Sequence, residues 1–374
     1  MSDSPAHQSR SQQLMALADQ CVKCGLCLPH CPTYRETEDE SEGPRGRISL
    51  LQGLALNALE PTPALAGHID RCLGCRACEA ACPAKVRYSE ILQLGRAELA
   101  DRGALRPTWV GRLGYRLPSH RRLLKGASWA LFAYQRSGLQ TVAKRLRLPQ
   151  RLGLARADTY LPQPLLAPTK PKPFHPARGK RRGGVALFTG CTGEALAAGT
   201  LASAITLLTR LGYDVHVPQS QGCCGALNAH AGQTGAAAAL RRRNLAAFAE
   251  PDIDHIIHFA SGCGAELKSY ASDEAPEAGA RFRVKVVEIG RFLADTPWPE
   301  AMQLNPLPTT ATLHHPCSLH NSAGAAEATH ALLERIPDLR IRVLKKLPAA
   351  ERPGATCFDS QTWLTACAPL RWHT

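Results

Sequence analysis

Two runs of cysteine near the N-terminus have the residue types and spacing of iron–sulfur ligands. Each run has the spacing C-x2-C-x2-C-x3-C and is followed directly by proline. The first run is Cys21, Cys24, Cys27 and Cys31, and the second is Cys72, Cys75, Cys78 and Cys82. Two-residue gaps let a short loop present three thiolates in succession to one cubane cluster. The sequence therefore predicts two [4Fe–4S] clusters that relay electrons, and no catalytic residue in this chain.

The fourth cysteine of each run is expected to ligate the cluster of the other run, because the proline after it turns the chain away. One cluster is then held by Cys21, Cys24, Cys27 and Cys82, and the other by Cys72, Cys75, Cys78 and Cys31. This crossed ligation would keep the two clusters close together, as an electron relay requires. Structural zinc is the alternative, but four-cysteine zinc sites usually consist of two separated C-x2-C pairs.

Glycine flanks four later cysteines, and glycine lets the backbone approach a bulky ligand closely. The four are Cys191, Cys223, Cys224 and Cys263. They favour a further iron–sulfur or metal site, with Cys317 as a fifth candidate ligand. His314, His315 and His320 flank Cys317, and we favour a structural role for them over metal ligation. Packing is the competing interpretation for the thiols, because free cysteine is often buried.

Four arginines near the two runs are candidates for offsetting cluster charge and raising the reduction potential. They are Arg45, Arg47, Arg71 and Arg76. The alternative is that they are ordinary solvated arginines. The chain contains no G-x-G-x-x-G motif and no P-loop, so the sequence gives no sign of a nucleotide site.

Hydrophobic periodicity predicts an α+β multidomain fold. A mainly α-helical ferredoxin-type domain has one helix after the Gly43–Arg47 turn and another from about Ser89 to Ala100. Strands that end near cysteines then alternate with alanine-rich helices, as in an α/β cysteine-rich domain. The predicted boundaries are 1–100 for the two-cluster domain, 101–183 for a basic helical segment and a linker, 184–300 for the first cysteine-rich domain and 301–374 for a second, incomplete one. The proline-rich stretch 161–184 is expected to hold no regular structure.

The composition favours a cytoplasmic protein with a negatively charged partner. Lys and Arg number 45 against 31 Asp and Glu, which gives a formal net charge of +14. The N-terminus has no apolar stretch of the secretory type, and no apolar run is long enough to span a bilayer. In a reducing compartment, the 15 cysteines favour metal binding over disulfides.

The positive charge is concentrated in residues 102–156, which hold thirteen Lys and Arg, five large aromatic residues and no acidic residue. We expect this segment to dock on an acidic partner or on the inner face of the cytoplasmic membrane. A solvated positive surface is the plain alternative. A metal-containing nucleic-acid-binding protein is the rival from another class, but it lacks a recognised binding fold and leaves the cysteine-rich half unexplained.

The cysteine runs and their surroundings carry a family resemblance. Residues 21–34, 43–47 and 70–88, with the later GCCGA and ASGCGA motifs, resemble the iron–sulfur subunit of bacterial glycolate oxidase. The resemblance implies FAD-containing partner subunits that oxidise glycolate to glyoxylate, and electrons that leave through the clusters to a quinone-type acceptor. The iron–sulfur subunits of lactate utilisation, anaerobic glycerol-3-phosphate dehydrogenase and heterodisulfide reductase share this architecture, and a lactate or glycerol-3-phosphate complex is the alternative.

The chain departs from that family after Pro348. The family has two CCG repeats, whereas residues 349–374 contain only the isolated Cys357 and Cys367. We interpret this stretch as a truncated or frame-shifted tail. The second cysteine-rich domain is therefore expected to be incomplete.

Overall fold

The computed structural model describes residues 5–105, 120–154, 158, 167, 170–191, 193–250, 252–270, 276–300 and 302–344. The predictions for Cys357, Cys367 and the tail lie outside these residues. Among the described helices, none combines the length and apolar composition needed to cross a bilayer.

Six helices build the N-terminal unit around one apolar core. They are α1 Pro5–Ala18, α2 Pro32–Thr37, α3 Pro44–Ala55, α4 Pro63–Asp70, α5 Ala77–Ala81 and α6 Tyr88–Asp101, with 3-10 turns at Leu28–His30 and Glu40–Glu42. Proline at the first position starts α2, α3 and α4, where its missing N–H costs no helical hydrogen bond. Leu51, Leu54 and Ile91 are fully buried between these helices. The helices predicted after the Gly43–Arg47 turn and from Ser89 are present as α3 and α6, but α3 already begins at Pro44, within the predicted turn.

A basic helical unit follows, which we define as residues 120–154. Its helices are α7 Arg121–Arg136, α8 Leu139–Arg145 and α9 Leu148–Arg151. Gly138 lies between α7 and α8 with a φ of 79°, a left-handed conformation that glycine adopts without strain. The basic segment was predicted to be helical, and its described residues 120–154 do form helices.

A five-stranded sheet forms the centre of the cysteine-rich half. The strands are β1 Phe174–His175, β2 Gly183–Phe188, β3 Tyr213–His216, β4 His255–His258 and β5 Val286–Glu288, in the order β1-β3-β2-β4-β5. β2 pairs in parallel with β3 on one side and with β4 on the other, and β5 extends the parallel set. The helices are α10 Ala198–Arg210, α11 Ala226–His230, α12 Thr234–Ala247, α13 Ser261–Leu267, α14 Pro276–Lys285 and α15 Ile289–Asp295.

Two sequence predictions need correction in this sheet. The proline-rich stretch 161–184 does contain regular structure, because Phe174 and His175 form the antiparallel edge strand β1 against β3. Proline is tolerated at such edges, where few ladder hydrogen bonds are required. Cys263 does not end a strand either: β4 stops at His258, and Cys263 lies in the first turn of α13.

The last described part is a small parallel pair of strands with one helix. β6 Thr310–Leu313 pairs with β7 Arg340–Val343, and a π-helical turn at Leu319–Ala323 and α16 Ala326–Leu333 lie between them. The strand predicted to end at Cys317 ends earlier, at Leu313. The α+β multidomain fold class, with a helical ferredoxin-type unit before a cysteine-rich α/β unit, is confirmed.

Candidate iron–sulfur sites

Four thiols from both cysteine runs line one cavity at the surface of the N-terminal unit. Its empty volume is about 330 Å³, including space open to solvent. The cysteines in its wall are Cys21, Cys24, Cys27 and Cys82. Three come from one loop and the fourth comes from the end of the other run, which is the crossed arrangement that the sequence predicted for the first cluster.

The loop wraps around this cavity because it alternates right-handed and left-handed backbone. Lys23 and Gly25 have positive φ values of 56° and 82°. The second run repeats the pattern at Gly74 and Arg76, with φ values of 61° and 58°. A non-glycine residue in this conformation is uncommon, so its occurrence in both runs marks a backbone shaped for a specific purpose.

The chemistry of the first set suits a cationic cluster core. Burial raises the pKa of the Cys27 thiol, and the charges of Cys21, Cys24 and Cys82 raise it further. Cysteine thiols that are gathered in this way become thiolates when a metal centre replaces their protons. Arg45 also lines the cavity; it donates to both oxygens of Glu40, at 2.6 and 2.9 Å, and to the Lys23 carbonyl at 3.1 Å.

The second set lies deeper. Burial raises the pKa of Cys75 to about 11, with further contributions from the neighbouring charges of Cys317, Cys72 and Cys31. The pKa of Cys78 is raised by burial and by the charges of Cys72, Cys75 and Cys31. Cys31 and Cys78 are buried, whereas Cys24 of the first set is exposed. The structure therefore brings Cys31 to the side of the second run.

Single metal ions are a poorer match for these cysteines. In the described ranges, no three His, Cys, Asp or Glu side chains are close enough to hold one metal ion. A four-iron cluster differs from a single ion because its own core occupies the space between the thiolates.

A buried carboxylate that the sequence did not single out organises the arginines near the second set. Glu42 is 3% exposed and accepts hydrogen bonds from Arg47 (2.7 Å), His68 (2.7 Å) and Arg71 (2.8 Å). Burial alone would raise the pKa of Glu42, but these partners hold it below its ordinary value. Arg47 is 1% exposed and also donates to the His68 carbonyl and to Thr33 Oγ1. Arg47 is thus no solvated arginine, and its charge is paired inside the protein.

The later cysteines meet at the carboxyl ends of the parallel strands. β3 and β4 lie on opposite sides of β2, so the chain reverses its winding direction there, and ligands of open α/β sheets bind at such switch points. The neighbouring thiols of Cys191 and Cys224 lower the pKa of Cys223, and the thiols of Cys223 and Cys263 raise the pKa of Cys224. The four glycine-flanked cysteines therefore form one group, beyond the ends of β2, β3 and β4.

Buried polar side chains fix the adjacent pair Cys223 and Cys224, which are each 4% exposed. Asn244 donates to the Cys223 carbonyl at 2.9 Å, and the Tyr270 hydroxyl donates to the Cys224 carbonyl at 2.7 Å. Sequence patterns gave no signal for Asn244 or Tyr270, which lie 21 and 46 residues from their acceptors.

Cys317 lies beside the second set, since its charge contributes to the raised pKa of Cys75. Asn321 donates to the Cys75 carbonyl at 2.7 Å, and the Ser318 and Ser261 hydroxyls are 2.7 Å apart. The flanking histidines lie near one another: burial, and then the charges of His320, His330 and His314, lower the pKa of His315.

The second set faces the cysteine-rich half of the chain. Besides the Asn321 contact, Arg76 donates to the Ala265 carbonyl at 3.4 Å and lies 3.9 Å from Glu79. Gln93 donates to Glu266 at 3.4 Å. Ala265 and Glu266 belong to α13, the helix that carries Cys263. The loop of the second run thus connects the two halves, and the first set faces the outer surface.

Comparisons with known proteins match the N-terminal unit and the cysteine-rich half to two different family models. A family model for a 4Fe-4S dicluster domain matches residues 17–86, and one for a cysteine-rich domain matches residues 185–268. The probable glycolate oxidase iron-sulfur subunit of Bacillus subtilis is 33% identical over 346 residues, covering 87% of this chain and 76% of that protein. The glycolate oxidase iron-sulfur subunit of Escherichia coli is 32% identical over 332 residues, covering 84% and 74%.

Lactate utilization protein A of Geobacillus thermodenitrificans is a more distant relative. It is 28% identical over 162 residues, covering 42% of this chain and 66% of that protein. No solved structure matches the chain. The resemblance noted from the sequence is confirmed by relatives that align with both halves, and the chain belongs to the family of glycolate oxidase iron–sulfur subunits.

Proposed function

We propose that this chain is the electron-transfer subunit of a complex that oxidises glycolate to glyoxylate. The alignment with glycolate oxidase iron–sulfur subunits over 87% of the chain carries the proposal, because it includes both cysteine runs and the cysteine-rich domain. The substrate chemistry belongs to an FAD-containing partner subunit, and electrons pass through this chain to a quinone-type acceptor.

Two crossed ligand sets would hold two [4Fe–4S] clusters. The first set is Cys21, Cys24, Cys27 and Cys82, and the second is Cys72, Cys75, Cys78 and Cys31. When bound, such clusters accept and release single electrons. The cavity that all four thiols of the first set line, and the mutual effects on pKa among the second set, support this assignment.

A further iron–sulfur site is proposed in the cysteine-rich domain. Its ligands would be Cys191, Cys223, Cys224 and Cys263, which interact with one another at the switch point of the sheet. Cys317 fits the neighbourhood of Cys75 better than this group, so we assign it to the contact between the two halves.

Substrate-driven reduction tests the proposed function. The chain is purified anaerobically with its flavoprotein partner, and glycolate is added while the visible absorbance of the clusters is followed. We expect glycolate to bleach the cluster absorbance. Bleaching by lactate and not by glycolate would favour the alternative that the partial similarity to a lactate utilization protein suggests. No bleaching by either acid would contradict the proposal.

The basic helical unit is proposed to bind the anionic surface of the cytoplasmic membrane. Among the residues of this unit, eight large apolar side chains are exposed: Leu123, Trp129, Leu139, Val142, Leu146, Leu148, Leu152 and Leu154. Arg145, Arg147 and Arg151 are interleaved with the last of these and are exposed as well. Apolar side chains that enter the headgroup boundary beside arginines that reach phosphates are typical of interfacial helices. Cores of protein interfaces, in contrast, are depleted of charge.

Vesicle flotation tests this surface. Replacing Arg145→Glu and Arg151→Glu together is expected to weaken binding to phosphatidylglycerol-containing vesicles by at least about 30-fold, because each lost basic residue contributes about 1 kcal/mol near an anionic surface and each added carboxylate is repelled by it. Lys180→Glu with Arg210→Glu changes the net charge equally at exposed positions outside the unit and serves as the control. Equal binding by both variants, or binding of the unit to an acidic subunit only, would contradict the membrane assignment.

A further inference from the structure

The second cysteine set has a buried hydroxyl group in contact with one of its sulfurs. The Tyr88 hydroxyl donates a hydrogen bond to Cys72 Sγ at 3.6 Å, within the range for a sulfur acceptor. Tyr88 is the first residue of α6 and is 5% exposed, so α6 fixes its ring in the apolar core beneath the second run. The donor is therefore held in place before any cluster is bound.

The surroundings of Tyr88 leave its proton on the oxygen. Its hydroxyl lies 3.6 Å from Cys72 Sγ at the edge of the apolar core, and a phenol carries its proton at neutral pH. The group acts as a hydrogen-bond donor and not as a titrating acid at neutral pH.

A hydrogen bond to a ligand sulfur stabilises the reduced cluster more than the oxidised cluster, because reduction adds negative charge to the sulfurs. Burial works in the opposite direction, since a dry site disfavours added charge. The second set is the more buried of the two, and its loop contacts α13 of the cysteine-rich half. A donor is therefore needed there if this cluster is to accept electrons readily.

We propose that Tyr88 is a tuning residue that raises the reduction potential of the cluster held by Cys72, Cys75, Cys78 and Cys31. This inference rests on the proposed function, because it requires that the second set binds a cluster. Tyr88 touches a ligand and takes no part in proton or group transfer. It offsets the effect of burial, so that the cluster facing the cysteine-rich half remains reducible.

A Tyr88→Phe variant tests the proposal, because it removes the hydroxyl and keeps the ring. In a redox titration followed by electron paramagnetic resonance, we expect one midpoint potential to fall and the other to stay. The expected change is about tenfold in the ratio of reduced to oxidised cluster at a given potential, or 59 mV for a one-electron couple. Tyr34→Phe is the control: it makes the same chemical change at a ring that packs against Gly43, and both potentials should stay unchanged.

A second readout reports the hydrogen bond itself. A comparison of wild-type protein in ordinary water and in heavy water should reveal an exchangeable proton that is coupled to the reduced second cluster. The Tyr88→Phe variant should lack that coupling. Iron and sulfide content, measured on each preparation, separates the possible failures. If the wild-type chain binds no clusters, the proposed function fails. If clusters are intact and Tyr88→Phe leaves both potentials and the proton coupling unchanged, the tuning role alone is wrong.

Discussion

Cys82→Ser should remove the same paramagnetic signal as Cys24→Ser, although Cys82 belongs to the run that contains Cys75. The reason is that Cys82 lines the cavity formed by the first run. Each of these variants is expected to lose about four of eight cluster irons, because a cubane that loses a thiolate ligand is no longer held. Iron analysis and low-temperature electron paramagnetic resonance of anaerobically reduced protein measure both effects.

The reciprocal pair provides the control for this prediction. Cys31→Ser should remove the signal that Cys75→Ser removes, because Cys31 and Cys75 interact within the second set. If Cys82→Ser instead matched Cys75→Ser, each run would hold its own cluster and the crossed assignment would be wrong. Electron transfer from glycolate in the assembled complex should be abolished by all four substitutions, since either break interrupts the relay.

Glu42→Gln should destabilise the N-terminal unit by about 3 to 5 kcal/mol, the usual cost of breaking a buried ion pair by removing one partner. The substitution leaves the Arg47 guanidinium, which is 1% exposed, without its counter-charge. The measurement is denaturant-induced unfolding of the cluster-loaded chain, followed by the helical circular dichroism signal. Glu40→Gln is the matched control, because its ion pair with Arg45 is partly solvated and should contribute less than about 1 kcal/mol.

Acid titration adds a second expectation for the same carboxylate. The pKa of Glu42 in the folded chain lies below its ordinary value of 4.5. The stabilisation that ionised Glu42 gives the folded chain is therefore complete above pH 4.5 and is lost as the pH falls through the lower pKa of the folded state. Glu42→Gln should remove this part of the acid sensitivity, whereas Glu40→Gln should retain it. Equal stability of the two variants, with unchanged acid profiles, would show that the buried network contributes nothing.

Local patterns predicted the features that depend on neighbouring residues in the chain. Cysteine spacing indicated the two runs, and the glycine- and proline-containing turn at Gly43–Arg47 indicated that a helix begins nearby, because both signals act within one loop or one helical turn. The strands β2, β3 and β4 were also predicted, and β2 is the clearest of them, since its continuous apolar run is typical of a buried parallel strand.

Features that depend on distant partners could not be predicted in this way. Glu42 is an ordinary exposed glutamate by sequence, and its role arises only because α4 brings His68 and Arg71 to it from 26 and 29 residues away. The Tyr88 contact with Cys72 and the Asn321 contact with Cys75 have the same origin, over 16 and 246 residues. Phe174 and His175 form a strand because β3 offers an open edge, and no propensity of their own indicated it.

The electron paramagnetic resonance spectrum of the anaerobically purified, dithionite-reduced chain tests the central claim most directly. We predict a brown protein with two [4Fe–4S] signals that interact magnetically, because crossed ligation by Cys31 and Cys82 holds the clusters close together. A colourless protein that contains zinc in place of iron would contradict this claim.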